Sequence, residues 1–304
     1  MIGTVLVTGA GGYVGHVLVD DLAARGWRVR AATRDTSSRN ITRDGVVPVT
    51  IGDLAAPVDW RSVIADATHV VHLAGIAHAD AALPEERYMA VNAAATGALA
   101  QACPALGVRR LVLVSSVRAQ TGPSASAVLT ERDPPRPVDA YGRSKLAAEI
   151  AVRTAFAEAE TEWSILRPVL VYGSGVKGNL RALHRLATSS IPLPLAGLDG
   201  ERSLLDRAAL IDAIRHALTT PAMRRGTFLV ADDAPATVPE IIAAIRRGLG
   251  RRPALFPLPA PLLATAAHLA GSRDRWKRLA DDLVVDAARL RSTGWRSRPT
   301  ATAG

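Results

Sequence analysis

The run Thr4-Val5-Leu6-Val7-Thr8-Gly9-Ala10-Gly11-Gly12-Tyr13-Val14-Gly15 constrains this chain more than any other segment. A short β-prone stretch meets glycines at 9, 12 and 15, and an apolar helical stretch follows over residues 16–22. A buried parallel strand, a glycine turn and a helix in that order form a cradle for a pyrophosphate. Gly9 permits the sharp turn, Gly12 lets backbone N–H groups reach the phosphates, and Gly15 lets the helix close on the strand. A glycine triplet elsewhere would mean little. Here it predicts a dinucleotide site.

Composition narrows the partners. Of 304 residues 48% are hydrophobic, enough for one large core or two unequal ones. The balance of 37 Lys+Arg against 28 Asp+Glu gives +9 and suits an anionic partner. The cations are scattered and aromatics are only 4%, so the stacking platforms of nucleic-acid binders are missing. Phosphorylated small molecules satisfy the same charge. Cys103 is the single cysteine, which excludes a disulfide framework or cysteine metal cluster, and it reads as a buried thiol in a helix. His69, His72 and His78 lack the spacing and carboxylate company of a metal site, so no metal is expected. His72, alternating with apolar residues, reads as a core histidine.

Residues 254–271 contain no Asp, Glu, Lys or Arg. Pro257, Pro259 and Pro261 leave about ten of them for a continuous helix, where a membrane span needs about twenty. No transmembrane segment is expected. The chain enters its first strand without a basic or apolar leader, and the expectation is a cytoplasmic protein.

Strand-like apolar runs recur at residues 5–7, 28–32, 47–50, 69–73, 110–115, 163–166 and 227–231. Helical patterns at 16–25, 60–64, 85–102 and 141–159 separate the early ones. This alternation predicts an α/β fold, a Rossmann-type doubly wound parallel sheet, over residues 1–166. After Arg167-Pro168 the pattern weakens, and residues 167–304 read as a smaller substrate lobe with helices at 180–187, 207–219 and 238–249. Segments near 163–167 and 226–231 are expected to return to the main sheet. The long Pro-rich loop at 120–137 has the length of a lid or binding loop, with a surface excursion as the alternative.

The end of the second strand bears on the cofactor. An acid there would bond the ribose 2′-hydroxyl of NAD, whereas an Arg accommodates the 2′-phosphate of NADP. Thr33 stands where the acid belongs, Arg34 follows, and Arg39 adds a second positive charge. This favours NADP(H). A two-residue slip would put Asp35 at the ribose and make NAD(H) the cofactor. Asp53, in Gly52-Asp53-Leu54, can accept from an adenine amino group or cap the next turn. Leu73-Ala74-Gly75 places small residues where backbone must approach a flat ring or ribose.

Acid–base chemistry points to Tyr141-Gly142-Arg143-Ser144-Lys145, where Tyr and Lys four residues apart share a helix face. A phenol ionises at about pH 10, and a nearby ammonium stabilises the phenolate. The Lys can also bond the nicotinamide ribose. Ser116, after the fifth strand, supplies a hydroxyl to hold a reacting oxygen, although a strand-end serine can equally satisfy backbone groups.

Together, the glycine motif, His72-Leu-Ala-Gly75, Asn92, Ser115-Ser116, Tyr141-Gly-Arg-Ser-Lys145, Leu166-Arg-Pro-Val-Leu-Val-Tyr-Gly173 and Gly294-Trp295 resemble the extended short-chain dehydrogenase/reductase family. The likeness is to its NAD-dependent epimerase/dehydratase branch and covers nearly the whole chain. Val176-Lys-Gly-Asn-Leu180, Pro192-Leu-Pro-Leu195 and Glu201-Arg-Ser-Leu204 are similar to a bacterial subgroup of UDP-glucose 4-epimerase-like proteins and UDP-4-keto-sugar reductases. The resemblance implies that Ser116, Tyr141 and Lys145 are catalytic. It implies dinucleotide contacts from Gly9, Gly12, Tyr13, Val14, Gly15, Thr33, Arg34, Asp53, Leu54, Leu73, Ala74, Gly75, Asn92, Tyr141, Lys145 and Pro168. Ser116, Asn179 and Leu180 would contact a nucleotide-sugar and Arg202 its diphosphate, a task suited to a guanidinium fork. A homodimer through helices near 85–103 and 141–159 is implied as well.

Two departures from the family pattern stand out. Leu204-Leu205-Asp206-Arg207-Ala208-Ala209 replaces an aromatic-then-acidic run, and Ala95 stands for a usual glycine. The implied activity is NAD(P)-dependent oxidoreduction at C4 of a nucleotide-sugar, favoured as NADPH-dependent reduction of a UDP-4-keto-sugar. A UDP-hexose 4-epimerase and a non-catalytic dinucleotide sensor or scaffold are the alternatives. Val117-Arg118 occupies the place beside the serine where a dehydratase needs an acid.

Overall fold

Seven parallel strands form the central sheet of the computed structural model, which describes residues 2–35, 43–77, 83–173, 179–269, 276 and 280–297. The strands are β1 (Thr4–Thr8), β2 (Arg28–Thr33), β3 (Val46–Thr50), β4 (His69–His72), β5 (Arg110–Val114), β6 (Glu162–Pro168), β7 (Leu170–Tyr172), β8 (Glu201–Arg202), β9 (Leu204–Asp206), β10 (Gly226–Val230) and β11 (Ala236–Thr237). The main sheet runs β10-β6-β5-β4-β1-β2-β3. Its order reverses between β1 and β4, so their carboxyl ends open a crevice where open α/β sheets bind ligands. The expected Rossmann-type sheet is present, with β6 and β10 in it.

Side chains alternate across this sheet with the two-residue period of a strand. Val5 and Val7 point to one core with Leu18 and Leu22 of α1 (Gly15–Ala24) and Leu210 and Ile214 of α7 (Arg207–Thr219). Leu6 points to the other, with Trp60 of α2 (Trp60–Ile64), Leu99 and Cys103 of α4 (Ala95–Ala105), and Ala148 and Val152 of α5 (Ala140–Ala155). Both faces are covered, which is why these strands read as continuous apolar runs. A smaller third core joins α6 (Asn179–Thr188), residues 193–198 and α8 (Val238–Gly248).

The helical pattern at 85–102 proves to be three pieces: α3 (Glu85–Tyr88), a π-helical turn over Met89–Ala94, and α4. The wider turn carries Asn92 inward, and π-bulges of this kind concentrate at functional sites. The fifth helix stops at Ala155 rather than 159, where fully buried Phe156 turns the chain into the core. The loop at 120–137 is stitched down: Ala125 N donates to Asp282 O at 2.8 Å and Leu129 N to Val284 O at 2.9 Å. Arg39, His78 and Val176-Lys-Gly fall outside the described residues. The Pro-rich stretch ends in α9 (Ala260–Leu269), and no helix among the described residues is long and apolar enough to cross a membrane.

Arg246 holds the third core together. It is 1% exposed, and no carboxylate meets it among the described residues. Its guanidinium donates to Ala187 O (3.0 Å), Ser189 O (3.1 Å), Ile191 O (2.8 Å), Pro253 O (2.6 Å) and Ala254 O (3.1 Å). It thereby caps the carbonyl end of α6, where the helix dipole is negative, and ties that end to two extended segments. Arg246→Met should leave these carbonyls unsatisfied and lower stability by about 2–4 kcal/mol in urea titrations. An unchanged urea midpoint would remove Arg246 from this role.

Candidate active site

The glycine turn is built on backbone contact. Gly9 has φ +71°, and a Cβ placed on it would lie 2.8 Å from Ala74 N. A Cβ on Gly15 would lie 2.1 Å from Gly9 O. Side chains at either position would force β1, α1 and the segment after β4 apart, so Leu73-Ala74-Gly75 and the turn line one crevice. The α1 helix also differs from its neighbours at its start. Asp59, Asp139, Asp206 and Thr237 cap α2, α5, α7 and α8, whereas the Val14 N-cap of α1 offers no side-chain acceptor and its first turn has no acid. No side chain among the described residues caps the positive end of this helix, which fits the pyrophosphate of a dinucleotide.

Buried polar groups brace the crevice. His72 Nδ1 meets Thr8 Oγ1 at 2.7 Å, and its Nε2 meets Thr96 Oγ1 at 2.9 Å. Burial pushes its pKa down to about 3, so it is the neutral core histidine that the sequence suggested. Asn92 Oδ1 accepts from Ile76 N at 2.7 Å, while its Nδ2 donates to Ile76 O (3.2 Å) and Ser144 Oγ (3.0 Å). It therefore pins the chain after Gly75 to α5. Cys103 is buried as expected, and burial raises its thiol to about 12. Among the described residues no group of three or more acidic, His or Cys side chains could hold a metal.

At the far end of the crevice β2 ends on Thr33, whose Oγ1 donates to Asp35 O at 3.1 Å. Arg34 is the first residue beyond the strand and is exposed. Asp53 adopts the capping arrangement, Oδ1 accepting from Ala55 N at 3.0 Å, with Arg87 on Oδ2 at 2.7 Å. That backbone bond, Arg87 and the charge of Arg34 hold the Asp53 carboxyl below its usual range. Leu54 is buried beside it. Arg207 lies over the Tyr13 ring, 4.6 Å from its centre, and Pro168 closes β6 opposite Val230.

Ser116, Tyr141 and Lys145, the residues expected to carry acid–base chemistry, converge where β5 meets α5. Burial raises the phenol's pKa, while the nearby Ser116 hydroxyl and the Arg118 charge draw it back down. Lys145 Nζ donates to Val114 O at 3.4 Å and faces Gly75, where a Cβ would lie 3.6 Å from it. Burial lowers Lys145 to about 8, and the Glu149 carboxylate opposes that fall.

Glu149 and Arg167 escaped the sequence reading. Glu149 is fully buried one turn beyond Lys145 and accepts from Arg167 Nε (2.9 Å) and Nη2 (2.6 Å) and from Ser115 Oγ (2.6 Å). Arg167 Nη1 also reaches Gln120 Oε1 at 2.9 Å. An acid on the buried stripe of a helix and an arginine inside an apolar strand were the available signals. The expected substrate residues are more dispersed. Arg202 directs its fork to Pro123 O (3.3 Å) and Asp281 O (3.0 Å). Asn179 and Leu180 open α6, and their side-chain contacts fall outside the described residues.

Glu149→Gln should have two effects. Breaking the buried pair should cost about 3–5 kcal/mol of stability. Removing the negative charge that favours the Lys145 ammonium should also make Lys145 deprotonate at lower pH. Dinucleotide affinity should therefore decline with a midpoint near pH 8 in the wild type and at lower pH in the variant. Coincident pH profiles would disconnect Glu149 from Lys145.

Comparison with known proteins identifies the family. Residues 5–231 match the NAD dependent epimerase/dehydratase family. UDP-glucose 4-epimerase of Vibrio cholerae is 31% identical over 308 residues, covering 99% of this chain and 93% of that protein. Ceramide reductase of Caulobacter vibrioides is 32% identical over 300 residues, covering 96% and 86%. The structure of MoeE5 in complex with UDP-glucuronic acid and NAD superposes with a TM-score of 0.77 at 25% identity, covering 98% of this chain and 95% of that one. The chain belongs to the NAD-dependent epimerase/dehydratase family, enzymes of the extended short-chain dehydrogenase/reductase type.

Proposed function

We propose that this enzyme reduces the C4 ketone of a UDP-linked sugar with NADPH. The observation that carries the reading is the buried grouping of Ser116, Tyr141 and Lys145, with the lysine one turn along the helix from the tyrosine, together with the uncapped start of α1. The glycine turn and Gly75 would hold the dinucleotide, with Arg34 at its 2′-phosphate. Bound NADPH supplies a hydride to C4. Tyr141 gives the carbonyl oxygen its proton, so the ketone becomes a secondary alcohol. Ser116 holds that oxygen in line, and Lys145 reaches the nicotinamide ribose. Asn179, Leu180 and Arg202 are assigned to the UDP-sugar.

The absence of an acid at Thr33 and Arg34 supports NADPH, and Arg87 adds a second guanidinium at that end. UDP-linked sugars are supported by the names of the Vibrio cholerae relative and of the MoeE5 complex. The full-length likeness to the Vibrio cholerae protein favours a second reading, 4-epimerisation. There Tyr141 takes the C4 hydroxyl proton, the C4 hydride would pass to bound NAD+, and proton and hydride would then return with the hydride on the other face of the sugar.

The two readings differ in how they use the dinucleotide. A reductase must release it each cycle, whereas an epimerase regenerates it in place. The protein should purify largely free of dinucleotide and should oxidise NADPH only when given a UDP-4-keto-sugar, read at the reduced-nicotinamide absorbance band. Interconversion of UDP-glucose and UDP-galactose without net nicotinamide change would replace the reductase by the epimerase. NADPH should bind more tightly than NADH, with a gap that narrows roughly tenfold in Arg34→Ala and widens at low salt. Equal affinities in the wild type would return the ribose contact to Asp35.

A further inference from the structure

We propose that Arg118 is a positioning residue that ties the turn carrying Ser116 to the helix start carrying Tyr141 and keeps a permanent positive charge beside the phenol. The inference rests on the C4 oxidoreduction reading for its purpose, but not on which sugar reacts.

Its basis is a three-point junction. After β5 the chain makes a 3₁₀ turn over Val117–Ala119, and Ser116 Oγ accepts from Arg118 N at 3.1 Å. The Arg118 side chain pairs with one oxygen of Asp139. The other oxygen of Asp139 caps α5 by accepting from Gly142 N at 2.7 Å. One carboxylate thus joins the turn that carries Ser116 to the helix start that carries Tyr141. Backbone contact reinforces it, because a Cβ on Gly142 would lie 2.4 Å from Arg118 O. Among the described residues the Arg118 Nε is buried without a hydrogen-bond partner, a cost normally selected against.

Charge explains why an arginine stands here. The groups around the phenol are Ser116, Arg118, Asp139 and Tyr88 from neighbouring segments, with Lys145 and Glu149 on its own helix. Arg118 favours the phenolate, whereas Asp139 and Tyr88 oppose it. Lys145, the cation expected from the four-residue spacing to do this, ionises at about 8 and loses its charge as the phenol begins to need it. A guanidinium stays charged throughout. Lys145 is left to face Gly75 and Val114 O.

Tyrosinate difference absorbance, with Tyr141→Phe as the subtraction baseline, reads the Tyr141 titration without sugar or dinucleotide. Arg118→Gln should move it about one pH unit higher, and Arg118→Lys should restore most of the change. Asp139→Asn keeps the helix cap but removes the opposing charge, so it should move the titration the other way. With turnover, Arg118→Gln should displace the pH profile of kcat and leave the sugar KM unchanged. Shifts of the same sign in Arg118→Gln and Asp139→Asn, or no shift in either, would overturn the proposal. Should Arg118→Gln fail to fold by circular dichroism, an unmoved titration in Asp139→Asn would overturn it alone. Wild-type protein that turns over no UDP-sugar would instead sink the C4 reading, and the spectroscopic result would stand apart from it.

Discussion

Backbone meets backbone between the first strand and the fourth, and the geometry of the whole crevice follows from that contact. With no room for a Cβ on Gly9 against Ala74, or on Gly15 against Gly9 O, β1, β4 and α1 converge at the point where the strand order reverses. The α1 start is then both close to the sheet and uncapped, while four other helices carry side-chain caps. A cap at α1 would have satisfied the helix locally. Its absence leaves the positive end of the helix uncapped beside the sheet, an arrangement that suits an anion better than it serves local stability.

Across the crevice, α5 organises charge along one stripe. Tyr141, Lys145 and Glu149 follow at four-residue steps and are all buried. Burying a phenol raises its pKa and burying a lysine lowers it, so the two move apart unless neighbours intervene. Glu149 restrains Lys145, and Arg118 restrains Tyr141. Glu149 is itself held by Arg167, which links the helix stripe to β6 and, through Gln120, to the stitched loop. The acid–base pair is therefore supported from the sheet, the helix and the loop together.

Much of this was legible in the residues. The main-sheet strands were visible as apolar runs because both sheet faces are covered, and the glycine turn, His72 and Cys103 behave as their neighbours suggested. Other features had no sequence period to reveal them. The π turn at Met89–Ala94 violates the 3.6-residue repeat, and β7, β8, β9 and β11 are too short to alternate. Arg246 sits in a helix rich in charge at its end and reads as solvated, yet it is buried among carbonyls, those of Ala187, Ser189 and Ile191 coming from a segment more than fifty residues away. Arg118 stands out along the chain only as a missing acid; its pairing with Asp139 is a contact across 21 residues that spacing does not encode.

In the proposed mechanism Tyr141 moves the proton in a site whose dinucleotide cradle is built independently of it. Turnover and dinucleotide affinity measured side by side in Tyr141→Phe test this most directly. Turnover should fall by about 10²–10⁴-fold while affinity stays within about twofold of the wild type. Near wild-type turnover in Tyr141→Phe would contradict it.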